Sequence, residues 1–76
     1  MARAFVAIDV ATGTAGEVCQ RLRDADGVVE AHVITGEFAV LVELTGDDQR
    51  DVLETMTTAV RPLDDIGAMR TYVCLD

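Results

Sequence analysis

Two short, almost uninterrupted apolar runs set the limits on what this chain can fold into. Ala4–Val10 reads AFVAIDV and Phe38–Leu44 reads FAVLVEL. Each is too short for a buried helix and is rich in β-formers, so each predicts a strand covered on both faces. The runs also echo one another. FVAIDVATG begins at Phe5 and FAVLVELTG begins at Phe38. Each is followed by a helical pattern and then a more polar strand-like run, so the chain reads as two halves of one plan.

After the first run, Gly13 breaks the strand and Thr14-Ala15-Gly16-Glu17 fits a capping box. Ala15, Val18, Cys19, Leu22 and Ala25 then recur at helical spacing, and Asp26-Gly27 supplies an αL-type stop. Val28–Thr35 alternates, with Glu30 and His32 on one face and Val29, Ala31 and Val33 on the other, as a half-exposed strand does. Gly36-Glu37 turns the chain into the second apolar run. Gly46-Asp47-Asp48 opens a second helix, with acids at its positive end. Its stripe is Val52, Leu53, Met56, Ala59, Val60 and Leu63, and Pro62 ends it near Arg61. A last strand spans roughly Ala68–Leu75, with Arg70 and Tyr72 on one face.

The order β-α-β-β-α-β predicts an α+β, ferredoxin-like fold: a four-stranded antiparallel sheet with two helices on one face. Right-handed crossovers place the first and third strands in the middle and the second and fourth at the edges. One domain spans residues 1–76, because a chain of 76 residues buries only about 60% of its unfolded surface and has no core to divide. The face away from the helices then carries Phe5, Ala7, Ala39 and Leu41, with Asp9 and Glu43 expected as a polar rim at its ends. A small soluble protein rarely leaves such a patch wet, so the pattern predicts sheet-to-sheet dimerisation.

Charge excludes several functions. Fourteen acids oppose six bases, all of them Arg, for a net charge of −8 and a pI near 4.3. Such a surface repels phosphate backbones, so direct nucleic-acid binding is not expected. An Asp-rich, Lys-free surface suits a halophile's cytoplasm, where salt screens self-repulsion; a GC-rich genome gives the same bias without that meaning. No apolar run reaches the roughly 20 residues of a membrane span, and no leader pattern precedes the first strand, so the expected place is cytoplasmic.

The residues that could do chemistry are few. His32 could pair with Glu30 on the same strand face, which reads as a surface pair. Cys19 and Cys74 lack metal-ligand spacing and a neighbouring base, and read as small hydrophobes in a reducing compartment. Asp47, Asp48 and Asp51 could hold a hard cation, but a helix start explains them. Asp64-Asp65 reads as solvated loop. There is no phosphate-binding or dinucleotide-binding glycine motif, and no cofactor is expected. Aromatic residues for stacking bases are absent from the central strands apart from Phe5 and Phe38.

The stretch Thr35-Gly36-Glu37-Phe38-Ala39 carries the most specific signal. With AFVAIDV, Asp26-Gly27-Val28 after the first helix, Val33-Ile34-Thr35-Gly36, the apolar third strand and Arg70-Thr71, it resembles the effector-binding RAM domain of the Lrp/AsnC transcription regulators. The resemblance covers essentially the whole chain. It implies a stand-alone form lacking the helix-turn-helix, dimers packed sheet to sheet, and often a ring of four dimers. It also implies an amino acid or related metabolite bound between dimers near the turn between strands two and three. Carried over by position, Gly36, Glu37, Phe38 and Ala39 become candidate ligand-binding residues, with Arg70 and Thr71 on the last strand. The family commonly has Asp where this chain has Ala39, able to receive a ligand's ammonium; the Ala in this chain implies either that ordinary α-amino-acid recognition is lost or that the role shifts to Glu37. No catalytic residue and no metal ligand is implied.

The leading expectation is therefore a non-enzymatic sensor of an amino acid or related small metabolite that modulates transcription of amino-acid metabolism. The alternatives are an assembly partner that joins full-length Lrp/AsnC regulators without binding a ligand, an ACT-like domain, and a small dimeric ferredoxin-like enzyme using His32.

Overall fold

Apolar residues at every second position build the middle of the sheet. The structure, a computed structural model, describes residues 1–63 and 66–75; Asp64 and Asp65, read above as solvated loop, lie outside them. Strand β1 (Ala2–Val10) turns Ala4, Val6 and Ile8 to one side, and β3 (Val40–Gly46) turns Val40, Val42 and Leu44 to the same side. All six are fully buried. Strands β2 (Val28–Val33) and β4 (Ile66–Val73) flank them in the antiparallel order β2-β3-β1-β4. Helix α1 (Ala15–Arg23) packs on β2 and β3, and helix α2 (Gln49–Thr55) on β3 and β1. Val18, Cys19 and Leu22 from α1 and Val52 from α2 close the core over those strands. The architecture is the ferredoxin-like one that the order of elements predicted.

Local details differ, each for a physical reason. Thr14 is the N-cap of α1, but its hydroxyl donates back to Ala11 O at 2.7 Å rather than capping a helix amide. Helix α1 ends at Arg23, short of the Asp26-Gly27 stop. Gly27 instead serves a close approach. Its φ is +85°, and a Cβ there would sit 2.5 Å from Thr55 Oγ1 of α2. At α2 the cap is as the acids suggested, with Asp51 N–H donating to the Asp48 carboxylate at 3.0 Å.

After Thr55 the second helix widens into a π-helix, Met56–Val60, and Arg61 N–H reaches back five residues to Met56 O at 2.9 Å. Thr55, Thr57 and Thr58 each donate their hydroxyl to the carbonyl four residues earlier. Met56 and Val60 are buried, but Leu53, placed in the stripe by the sequence pattern, is 55% exposed.

The strands are shifted by about two residues from expectation. β3 begins at Val40, so Phe38 and Ala39 belong to the connection before it. The sequence echo is thus out of phase: it matches Ala7, which faces away from the helices, with Val40, which faces them. A bulge between Val28 and Glu30 leaves Val29 half exposed rather than on the core side with Ala31. Val33 does face the helix side but lies at the uncovered edge, 56% exposed.

Both edges of the sheet are blunted by arginine. Arg23 at the end of α1 donates from Nε and Nη2 to Ala31 O, at 3.0 and 2.8 Å. Ile34 N–H bonds Ala39 O across the ladder, and antiparallel alternation then turns Ala31 outward. On β4, Cys74 N–H bonds Arg3 O, so Met69 O faces outward, and Arg70 Nη1 donates to it at 3.0 Å. Each edge therefore offers one fewer carbonyl to a foreign strand.

Candidate ligand-binding site

The connection between β2 and β3 is held by two backbone bonds. Ile34 N–H donates to Ala39 O at 2.8 Å and closes the turn; Ala39 N–H donates to Ile8 O at 3.0 Å and anchors it to β1. Between these ties, Thr35, Gly36 and Glu37 are exposed, while Phe38 and Ala39 are half buried. Ala39 packs against the core. Gly36 has φ +136°, a conformation L side chains rarely adopt, and a Cβ there would meet nothing within 4 Å. Glycine is needed at this position for backbone conformation rather than for space. The turn thus presents a glycine backbone and one carboxylate on a rigid base.

The candidate residues do not all converge within one protomer. Gly36, Glu37, Phe38 and Ala39 are consecutive in the turn. Arg70 and Thr71 lie on β4, separated from β3 by β1. Their partners on β1 are Ala7 and Val6, so they point to opposite faces of the sheet. Arg70 lies on the face away from the helices.

That open face is laid out by register. Glu30, Glu43, Phe5 and Tyr72 form one row across β2, β3, β1 and β4; His32, Leu41, Ala7 and Arg70 form the next. Phe5, Ala7 and Leu41 lie at its middle as expected, whereas Ala39 precedes the strand. Asp9 is exposed near one end, but Glu43 is not at an end. It sits mid-strand between Phe5 and Glu30, its side chain only 18% exposed. Arg3 reaches it at 3.7 Å and lies over the Phe5 ring, 5.6 Å from the centroid. His32 and Glu30 make the expected exposed pair at 3.7 Å. Sequence reading missed that Glu30 and Glu43 stand directly opposite one another. Only the strand register could have revealed it.

Two clefts open at the other end of the sheet from the turn. One, of about 380 Å³, is lined by Asp26, Gly27, Thr45, Asp47, Asp51 and Thr55 among others. Of its acids, Asp51 already serves the backbone, accepting from Asp47 N–H at 3.0 Å. Among the described residues, no three His, Cys, Asp or Glu side chains come together as a metal site. The other cleft, about 360 Å³, is bounded by Met1, Arg3, Val29, Glu43 and Thr45. Cys19 is buried against the sheet; burial pushes its thiol pKa up, with the Arg23 charge pulling the other way, so the thiolate needed for reaction is disfavoured. No described helix is long and apolar enough to cross a membrane.

Residues 3–76 match the model of the Lrp/AsnC ligand-binding domain. No functionally curated protein matches the chain. Among solved structures, a hypothetical protein, PHS023, of Pyrococcus horikoshii is 28% identical with a TM-score of 0.92, covering 100% of this chain and 92% of its own. The protein FFRP-DM1 is also 28% identical, with a TM-score of 0.90, covering 99% of this chain and 100% of its own. A Neisseria meningitidis transcriptional regulator solved in complex with L-Met shares the fold at 16% identity and a TM-score of 0.73; the match covers 99% of this chain and 50% of that regulator.

Proposed function

The chain belongs to the Lrp/AsnC ligand-binding-domain family, and from that premise we propose that it senses an amino acid or related small metabolite at the turn between β2 and β3. It is a regulatory domain and not an enzyme. The observation that carries the sensing reading is the turn itself: an exposed Thr35-Gly36-Glu37 held at both sides by backbone bonds, with Gly36 at positive φ. Backbone amides around Gly36 would receive a carboxylate, and Glu37 would meet an ammonium. Thr35, Gly36 and Glu37 are exposed and nothing lies within 4 Å of a Cβ at Gly36, so a neighbouring copy closing over the turn would complete the site. Arg70 and Thr71 would join it only from such a neighbour.

Oligomerisation belongs to the same proposal. Phe5, Ala7, Leu41 and Tyr72 make an apolar strip on the open face that a second copy, packed sheet to sheet, would cover. Rings of four such dimers would then bring turns together. The output would be altered transcription of amino-acid metabolism, and full-length Lrp/AsnC regulators would be the partners through which this acts.

One observation favours a second reading, an assembly partner that senses nothing. Ala39 offers no carboxylate, and both its backbone groups are committed, to Ile8 and Ile34. A thermal-shift screen of the amino acids separates the two readings. A ligand present at 100 times its dissociation constant adds about 2.7 kcal/mol of stability. A shift with one or a few amino acids supports sensing; no shift with any leaves the partner reading.

A further inference from the structure

We infer that the cleft bounded by Met1, Arg3, Val29, Glu43 and Thr45 is a second small-molecule site, which takes the zwitterion of an α-amino acid with an apolar side chain. It lies at the other end of the sheet from the β2–β3 turn and does not depend on a ligand at that turn.

The cleft measures about 360 Å³, within the range of sites that bind small molecules by setting a few polar groups among apolar walls. It lies beyond the apolar strip of Phe5, Ala7 and Leu41, where Arg3 pairs with Thr45 near the ends of β1 and β3. Thr45 Oγ1 donates to Ala2 O at 3.3 Å and ties the two strands there. The charged groups are of both signs. The Glu43 side chain is only 18% exposed, and Arg3 Nη1 approaches it to 3.7 Å, longer than a charge-assisted hydrogen bond. Glu30 stands directly opposite Glu43 on β2, and like charges so placed repel. Glu30 has His32 beside it, also at 3.7 Å and charged only when protonated. An ammonium entering next to Glu43 would approach to hydrogen-bond distance and offset the opposed carboxylates.

Arg3 supplies the complement. Its guanidinium lies over the Phe5 ring, 5.6 Å from the centroid, and its side chain is 54% exposed. A planar fork of five donors can serve Glu43 and receive a ligand carboxylate together. An ammonium and a carboxylate carried on one carbon match a carboxylate and a guanidinium set side by side. The walls select the rest of the ligand. Val29 and Met1 are exposed apolar side chains beside the charged pair. The bulge between Val28 and Glu30 takes Val29 out of the strand's alternation, and bulges of this kind re-aim side chains next to sites. An aliphatic side chain would rest on these walls, whereas a second carboxylate, as in aspartate, would meet Glu43 and Glu30.

Residue-resolved titration tests this. L-Leucine is added to isotopically labelled protein, and the backbone amide resonances are followed by NMR. The amides of Val29, Glu43 and Thr45 should shift saturably, and L-aspartate should leave them in place. Glu43→Gln and Arg3→Gln, their folds checked by circular dichroism, should each weaken the affinity read at these amides by about tenfold. Isoamylamine, which is leucine without its carboxylate, should bind the wild type about tenfold more weakly than leucine and should be indifferent to Arg3→Gln. The cleft response should persist in Glu37→Gln, which alters only the turn. Unshifted Val29, Glu43 and Thr45 at about 10 mM leucine, enough to fill a site of millimolar affinity, overturn the proposal. So does binding there that Glu43→Gln leaves unchanged, or isoamylamine bound by the wild type as tightly as leucine. A leucine response confined to Gly36 and Glu37 would uphold the turn as a site and overturn the cleft.

Discussion

Glu37 and Gly36 carry the sensing proposal at the scale of single residues, and they make different predictions. Glu37→Gln keeps the shape of the turn and removes only its charge. An amino acid identified by thermal shift should bind this variant more weakly by about 1.5–3 kcal/mol, the range for a hydrogen bond to a charged group; titration calorimetry reads the change. Unchanged affinity would make Glu37 one more surface acid. Gly36→Val meets no steric neighbour but forces a β-branched side chain to φ +136°, so it should both strain the turn and abolish binding. Gly27→Ala is the structural control. It combines positive φ with a Cβ only 2.5 Å from Thr55 Oγ1. It should cost at least about 1 kcal/mol in denaturant unfolding without touching the binding turn.

At the scale of elements, the second helix shows what packing does to a periodic pattern. Val52, Leu53 and Met56 all fit an apolar stripe, yet Leu53 is exposed and Met56 is buried. Leu53→Gln should therefore change stability by no more than about 0.5 kcal/mol. Met56→Ala should cost about 2 kcal/mol or more through the cavity it leaves. Equal effects in chemical denaturation would mean that the widened turn at Met56–Val60 does not set which residues face the sheet. At the β2 edge, Arg23 holds the Ala31 carbonyl with two bonds. Arg23→Ala frees that carbonyl to water, so the loss should sit near the low end of the range for charged hydrogen bonds, about 1.5 kcal/mol.

For the whole molecule, net charge and the open sheet face set the behaviour. With a charge of −8, exposed carboxylates repel one another, and molar KCl shortens the screening length to a few ångströms. The melting temperature should rise between low salt and about 2 M KCl, as a protein adapted to high salt would show. A flat or falling curve would leave the acidic bias as compositional drift. The proposed sheet-to-sheet assembly should persist in that salt, because the middle of the open face is apolar: Leu41→Asp should lower the mass seen by light scattering at every salt concentration.

The order of elements, the identity of the central strands and the family were all legible in the sequence. Apolar periodicity and the Thr35–Ala39 turn are local signals, each contained in a few neighbouring residues. The β2–β3 turn as candidate site was legible for the same reason, since its glycine and acid are adjacent in the chain. Register was not. The Phe5 and Phe38 echo aligns two strands that the fold offsets, because facing is decided by which residues the helices cover, and a one-residue slip exchanges every side chain between faces. The opposition of Glu30 and Glu43 and the bulge that exposes Val29 follow from that register, and the reach of Arg23 to Ala31 follows from where the first helix ends against β2. Each depends on how separate elements are set against one another, and so only the tertiary structure could decide them.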